Sequence, residues 1–113
     1  NDRLAGKEMY IARHYLKSQK WIPAINRFKN ILENYETTVY VEEALHRLVE
    51  TYYIIGLENE SKKYANLLGY NYQSSEWYEK SYKVFNKNYQ SRINKIRKKE
   101  KKGVIKKFKK LFD

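Results

Sequence analysis

Two carboxylates and an imidazole are the residues of this chain whose spacing first suggests chemistry. Glu42, His46 and Glu50 recur at intervals of four, which places them on one face of a helix. Carboxylate and imidazole groups bind divalent metal ions and transfer protons. Three ligands spread over three turns of one helix cannot converge on a single ion. We therefore interpret these residues as a polar stripe that faces outward or toward a partner.

The sequence offers little else for catalysis or redox chemistry. It shows no Ser-His-Asp or paired-acid arrangement in a supporting motif, so we expect neither an enzyme nor a cofactor or metal site. The absence of cysteine excludes disulfides and thiolate metal ligands. No apolar run approaches the roughly 20 residues that a membrane-spanning helix needs. Four Gly and one Pro are few for a turn-rich β fold and favour long helices.

The positive charge is concentrated at the carboxyl end. Of the net +11, residues 92–113 contribute +9, whereas residues 1–91 are nearly balanced at +2. Lysine-rich tails bind phosphate backbones without sequence preference. A helical module that binds nucleic acid or anionic surfaces through this tail is therefore the alternative function. Because residues 1–91 carry no basic stripe, we expect no specific nucleic-acid ligand.

Two short stretches divide the chain in the same way and predict its architecture. NYETT at 34–38 and NYQSS at 71–75 match by residue type at every position, 37 residues apart. A period of this length is typical of stacked repeats. Apolar residues at helical spacing predict two hairpins, with helices near 5–17 and 22–35, then near 40–55 and 59–68. The fold class is therefore predicted to be all-α.

Local signals predict how these helices begin and end. Pro23 suits the first turn of its helix, and Gly56 and Gly69 suit left-handed caps at helix ends. In NYETT and NYQSS, the tyrosine should close one hairpin against the core. The paired hydroxyl residues should supply the N-cap of the next helix.

The repeats resemble tetratricopeptide repeats, which are helical hairpins stacked into a solenoid. Those repeats carry a Tyr on the first helix and Ala-x-x-x-Phe on the second. Tyr15, Ala24 and Phe28 match this pattern. The second repeat has Ser61 and Ala65 at the corresponding positions, which keeps small residues where the two helices cross.

A denser match extends from about residue 8 to 85. The run YIARHYLKSQKWIPAINRFKNILENYETT, followed by EEALHRLVETYYIIGLENESKKYANLLGYNYQSSEWY, resembles the C-terminal half of the BamD (ComL-like) family of outer-membrane assembly lipoproteins. The matching residues are Ala12, Arg13, Tyr15, Ala24, Asn26, Arg27, Phe28, Tyr35, Thr38, Glu43, Ala44, Leu45, Arg47, Leu48, Glu50, Tyr52, Gly56, Leu57, Ser75, Trp77 and Tyr78. The sequence departs from the family pattern at Glu36, where Pro is usual, and at Ser61, where Ala is common.

The resemblance implies a scaffold of the β-barrel assembly machinery without catalytic chemistry. The expected location is the periplasmic face of the bacterial outer membrane, near its inner leaflet. A lipid on an N-terminal region absent from this fragment would provide the anchor. The implied partner is the BamA-like barrel subunit, bound through its POTRA domains, and other assembly-machinery lipoproteins are further candidates. The family uses an Arg at the position of Arg27 for an ion pair with the last POTRA domain, so we predict a partner-binding set of Asn26, Arg27, Arg13 and Trp21.

The end of the chain is predicted to form a long capping helix, from about 76 to about 102, and then a basic tail. We place the boundary between the repeats, with the start of this helix, and the tail at residues 91 and 92. Beyond Gly103, apolar residues recur at helical spacing and lysines fill the other face. These apolar residues are Val104, Ile105, Phe108, Leu111 and Phe112. A lysine run is most often a solvated tail, but this periodicity favours binding to an anionic lipid surface or an acidic groove.

A double substitution tests this interpretation of the tail. Changing Phe108 and Phe112 to Ser keeps every lysine but removes two apolar groups, each contributing about 1.5–3 kcal/mol at best when buried. We expect the variant chain to bind anionic vesicles much more weakly than the wild type in a sedimentation assay. Equal, salt-sensitive binding of both chains would identify the tail as a simple polycation and would favour the nucleic-acid alternative.

Overall fold

Five helices make up the described part of the chain, and the predicted all-α class is confirmed. The computed structural model describes residues 2–85 and 98–99. The helices are α1 (Asp2–Lys17), α2 (Trp21–Asn34), α3 (Val41–Ile54), α4 (Glu58–Asn71) and α5 (Glu76–Lys83). α5 begins where the capping helix was predicted, but most of that helix, the 91/92 boundary and the basic tail lie outside the described residues.

The helices stack as two hairpins followed by one further helix, α5. α1 packs on α2, α3 packs on α4, α2 joins the hairpins through α3, and α5 covers both α3 and α4. One apolar core runs through this stack. Its fully buried members on α2 are Ala24, Phe28 and Ile31, and those on α3 include Leu48 and Val49. The burial of Ala24 agrees with the repeat pattern, which has a small residue where the two helices cross.

The 37-residue register is reproduced at the level of individual hydrogen bonds in the hairpin turns. Lys20 N donates to Tyr15 O at 2.9 Å, and Leu57 N donates to Tyr52 O at 2.9 Å. The residue before each donor has positive φ, 58° at Gln19 and 89° at Gly56. This arrangement is a Schellman motif. The left-handed cap predicted at Gly56 is therefore confirmed, and Gln19 adopts the same conformation without being a glycine.

The turns that follow α2 and α4 also match each other, but only one of the two predicted N-caps forms. Tyr35 and Tyr72 cap α2 and α4 with nearly the same backbone angles, and both pack against the core. Ser75 caps α5 as predicted, because its Oγ accepts from Trp77 N at 3.1 Å. Thr38 does not cap α3. Its Oγ1 donates back to Tyr35 O at 2.7 Å, which stabilises the turn instead.

One further prediction from the sequence is wrong for a reason of packing. Gly69 is not a cap: it lies inside α4, where a Cβ would come within 2.6 Å of the Tyr78 ring. Its missing side chain lets α5 approach. Two large apolar side chains also lie at the surface: Tyr82 is 70% exposed because α5 turns that side of the helix to solvent, and Leu67 on α4 is 41% exposed.

Ser61, the departure from the repeat pattern, has a local explanation. Its side chain is fully buried at the α3–α4 crossing, and its Oγ donates to Val49 O at 2.7 Å. A buried hydroxyl costs stability unless it is hydrogen-bonded. The backbone acceptor on α3 therefore lets serine occupy a position where the repeat usually has alanine.

A reciprocal pair of substitutions tests the strain at the two equivalent turns. Gln19→Gly removes a side chain from a left-handed residue and should raise the free energy of unfolding by about 1 kcal/mol. Gly56→Gln should lower it by a similar amount, because nothing lies within 4 Å of the added Cβ and only the backbone conformation is strained. Urea unfolding of both variants measures the difference. Changes of the same sign in both would show that the turns are not equivalent.

Candidate partner-binding surface

Arg27 extends from α2 toward α1 and makes an ion pair within its own hairpin. Its Nη1 donates to Glu8 Oε1 at 2.7 Å, and its side chain remains 43% exposed. Asn30, one turn further along α2, donates from Nδ2 to the other Glu8 oxygen at 2.9 Å. The Glu8 side chain is 14% exposed. One carboxylate of α1 is therefore held by two donors of α2.

Arg13 makes a second ion pair, which joins the two repeats. Its Nε donates to Glu43 Oε2 at 2.9 Å, and its Nη2 donates to Glu43 Oε1. Arg47, on the same helix as Glu43, also donates from Nε to Oε2 at 3.3 Å. Two-point pairing of a guanidinium with a carboxylate fixes direction as well as distance. The contact therefore sets how α1 and α3 lie relative to each other.

The same polar chain continues from α3 to α5. Arg47 Nη1 donates to Glu50 Oε1 at 3.0 Å, and that oxygen lies 3.1 Å from His46 Nε2. The other ring nitrogen of His46 lies 2.8 Å from Ser81 Oγ. When the neutral ring carries its proton on Nε2, it donates to Glu50 and accepts from the Ser81 hydroxyl.

The interpretation of Glu42, His46 and Glu50 as a stripe that faces outward or toward a partner is therefore wrong for His46, while Glu42 and Glu50 are partly exposed. His46 is 2% exposed because α5 packs over that face of α3. The centroids of the Trp77 and His46 rings are 5.3 Å apart. Lys80 and Arg47 make cation–π contacts with the Trp77 ring, at 4.2 and 5.5 Å from its centroid, respectively. Among the described residues, no cluster of three or more His, Asp or Glu could hold a metal ion.

Burial and hydrogen bonding have opposite effects on the Glu43 carboxylate. Desolvation raises its pKa, but the hydrogen bonds and charges of Arg13 and Arg47 outweigh that effect, so the net pKa lies below the usual 4.5. The hydrogen bond to Glu43 in turn raises the pKa of Arg13. Glu43 is therefore ionised at neutral pH, and both charges of the inter-repeat contact are present.

The structure distributes the four predicted partner-binding residues over separate contacts. Arg27 and Arg13 belong to different ion pairs, Asn26 is exposed on α2, and Trp21 packs partly buried against the core. Glu8 was missed by the sequence analysis. An acidic residue on the first helix of the same hairpin was visible, but its proximity to Arg27 depends on how α1 and α2 cross. The five predicted tail-binding residues lie outside the described residues.

Comparison with known proteins agrees with the architecture. The sequence profile of a family described as "Outer membrane lipoprotein" (YfiO) matches residues 1–68. The chain belongs to this family. A relative from Rickettsia prowazekii (strain Madrid E) is 54% identical over 91 residues, which is 80% of this chain and 36% of the relative. One from Caulobacter vibrioides is 49% identical over 88 residues, covering 78% of this chain and 29% of the relative.

Both relatives are named outer membrane protein assembly factor BamD, so the resemblance to the BamD family is confirmed. An assembly factor is a non-enzymatic role, and the expectation of a non-enzymatic family is confirmed with it. The chain spans about a third of the length of these relatives. None of the helices in the described part of the chain is long and apolar enough to cross a membrane.

Replacing one carboxylate tests the inter-repeat contact and its pH dependence. Glu43→Gln should lower the free energy of unfolding at pH 7 by about 1–2 kcal/mol, because hydrogen bonds to an ionised group are lost. The depressed pKa of Glu43 means that its stabilisation is present above the unfolded value and is lost as pH falls through the folded value. The difference between wild type and variant should therefore shrink toward pH 3.

Glu76→Gln is the matched control. Glu76 pairs with Lys80 on the exposed side of α5 at 3.3 Å. Exposed pairs of this kind contribute little, so this variant should stay within about 0.5 kcal/mol of the wild type. Chemical unfolding at pH 7 and pH 3 makes the comparison. If the Glu43→Gln difference were the same at both pH values, the contact would not depend on the ionised carboxylate.

Proposed function

We propose that this chain is part of a non-enzymatic scaffold of the β-barrel assembly machinery. It docks on periplasmic POTRA domains of the barrel-forming subunit and supports the folding and insertion of outer-membrane proteins. The family membership and the names of the relatives support this role. The stacked hairpins support it as well, because stacked repeats form extended surfaces that bind partners.

The docking proposal rests mainly on Arg27, which is partly exposed and pairs with Glu8 through one of its three nitrogens. Its guanidinium is 43% exposed, and within residues 2–85 its described hydrogen bond uses Nη1 alone. Nε and Nη2 remain able to donate to a carboxylate on a partner. Exposed Asn26 precedes it and adds a neutral polar group to the same part of α2. An arginine fork gives two-point recognition that a lysine cannot reproduce.

The proposed location is the periplasmic face of the outer membrane, with a lipid anchor in an N-terminal region of the longer protein. The description of the family as an outer membrane lipoprotein supports this location. The other assembly-machinery lipoproteins are further candidate partners. Arg13 and Trp21 stay in the proposed partner-binding set. Arg13 is 46% exposed even though it pairs with Glu43, so part of its guanidinium is accessible.

Charge reversal at Arg27 tests the docking surface. Arg27→Glu should weaken binding to the POTRA domains of the matching barrel subunit by about tenfold or more, because a repulsive contact replaces an ion pair. Arg27→Lys keeps the charge but loses the planar guanidinium, which can donate two hydrogen bonds to one carboxylate. This variant should therefore have an intermediate affinity. Isothermal titration calorimetry measures both affinities. Circular dichroism must accompany it, because a carboxylate at position 27 also faces Glu8.

Lys62→Glu serves as the control, since it reverses an exposed charge on α4, far along the chain from Arg27. It should leave the affinity within about twofold of the wild type. If Arg27→Glu bound as tightly as the wild type while the wild type bound well, Arg27 would be removed from the interface. If the wild-type chain itself did not bind the POTRA domains, the docking function would be wrong for this part of the protein.

A further inference from the structure

The Arg27 guanidinium already has a carboxylate partner within its own chain, and this raises the question of what Glu8 does there. We propose that Glu8 is a positioning residue: it anchors one edge of Arg27 so that the remaining N–H groups are presented to a carboxylate of the docking partner. This inference rests on the proposed docking function and extends it to a residue on α1.

Glu8 is held by more contacts than an ordinary surface ion pair. Both carboxylate oxygens are occupied, Oε1 by Arg27 Nη1 at 2.7 Å and Oε2 by Asn30 Nδ2 at 2.9 Å. Asn34 Nδ2 in turn donates to Asn30 Oδ1, which orients the Asn30 amide with its NH₂ group toward Glu8. Glu8 therefore receives two converging donors from α2 while its side chain is largely shielded from solvent.

The anchor has a specific consequence for the exposed half of Arg27. A free arginine side chain has many rotamers, and binding must immobilise them at an entropic cost. With Nη1 fixed on Glu8, much of that freedom is already lost before a partner arrives. Two-point recognition of a second carboxylate needs two N–H groups in one plane, and the guanidinium supplies them beyond the Nη1 edge.

Glu8 could instead compete with the partner, since it neutralises part of the Arg27 charge and would repel another carboxylate. The arrangement of exposure and hydrogen bonds favours positioning over competition. Glu8 is 14% exposed against 43% for Arg27, so an approaching partner meets the guanidinium first. The donors on both Glu8 oxygens also reduce the negative charge that the partner would encounter. Arginine stays protonated whether or not Glu8 is present.

Glu8→Gln in the 113-residue chain tests the proposal with little change in side-chain volume. We expect its affinity for the POTRA domains to fall roughly three- to tenfold, which lies in the lower part of the range of coupling between contacting residues. Glu76→Gln removes an exposed carboxylate elsewhere and should leave the affinity unchanged. In an Arg27→Ala background, Glu8→Gln should have no further effect on affinity, because a positioning residue acts only through the residue it holds.

The outcomes separate this inference from the docking function. If Arg27→Ala weakened binding but Glu8→Gln did not, the positioning role would be overturned while docking through Arg27 would stand. Tighter binding by Glu8→Gln would show that Glu8 competes with the partner, which also overturns the proposal. An equal loss from Glu8→Gln with and without Arg27 would assign Glu8 a general structural role. If the wild type failed to bind, the docking function and this inference would both be overturned.

Discussion

Burial of the Ala24–Phe28 face of α2 is the constraint on which the rest of the surface depends. Both side chains are fully buried, so the rotation of α2 about its axis is fixed by packing. Once that face is inside, Asn26 must point outward and Arg27 must leave from the edge of the core. The same rotation brings Arg27 and Asn30 to α1 at the position of Glu8. The packing of Ala24 and Phe28 thus determines where the proposed partner-binding residues of α2 lie.

A polar layer along α1, α3 and α5 complements this apolar core. The contacts run from Arg13 on α1 through Glu43 and Glu50 on α3 to Ser81 on α5, by way of His46. Guanidinium–carboxylate pairs and a hydrogen-bonded, buried imidazole have defined geometry. Together with the apolar packing, this layer therefore restricts the relative orientation of successive repeats, and with it the shape that a partner meets.

The sequence predicted those parts of the structure that depend on local pattern. The repeat period located all four hairpin helices and the start of α5, because apolar spacing and turn residues act over a few residues. It failed where the outcome depends on which face a neighbouring helix covers. The spacing predicts His46 on a polar stripe at the surface, but α5 buries it. The sequence predicts Gly69 as a cap, but its absent side chain makes room for Tyr78 from α5. Glu8 is visible in the sequence as an acidic residue on the first helix, but its pairing with Arg27 depends on how α1 and α2 cross, which no local pattern gives.

The structure of the complex with the POTRA domains would show whether this part of α2 forms an interface with a partner carboxylate. We expect an acidic side chain of the partner at about 3 Å from Arg27 Nε or Nη2, with Glu8 still accepting from Nη1. Asn26 should lie within the same buried area. A complex in which Arg27 remains solvated, and the partner covers a different face of the hairpins, would rule out docking through Arg27.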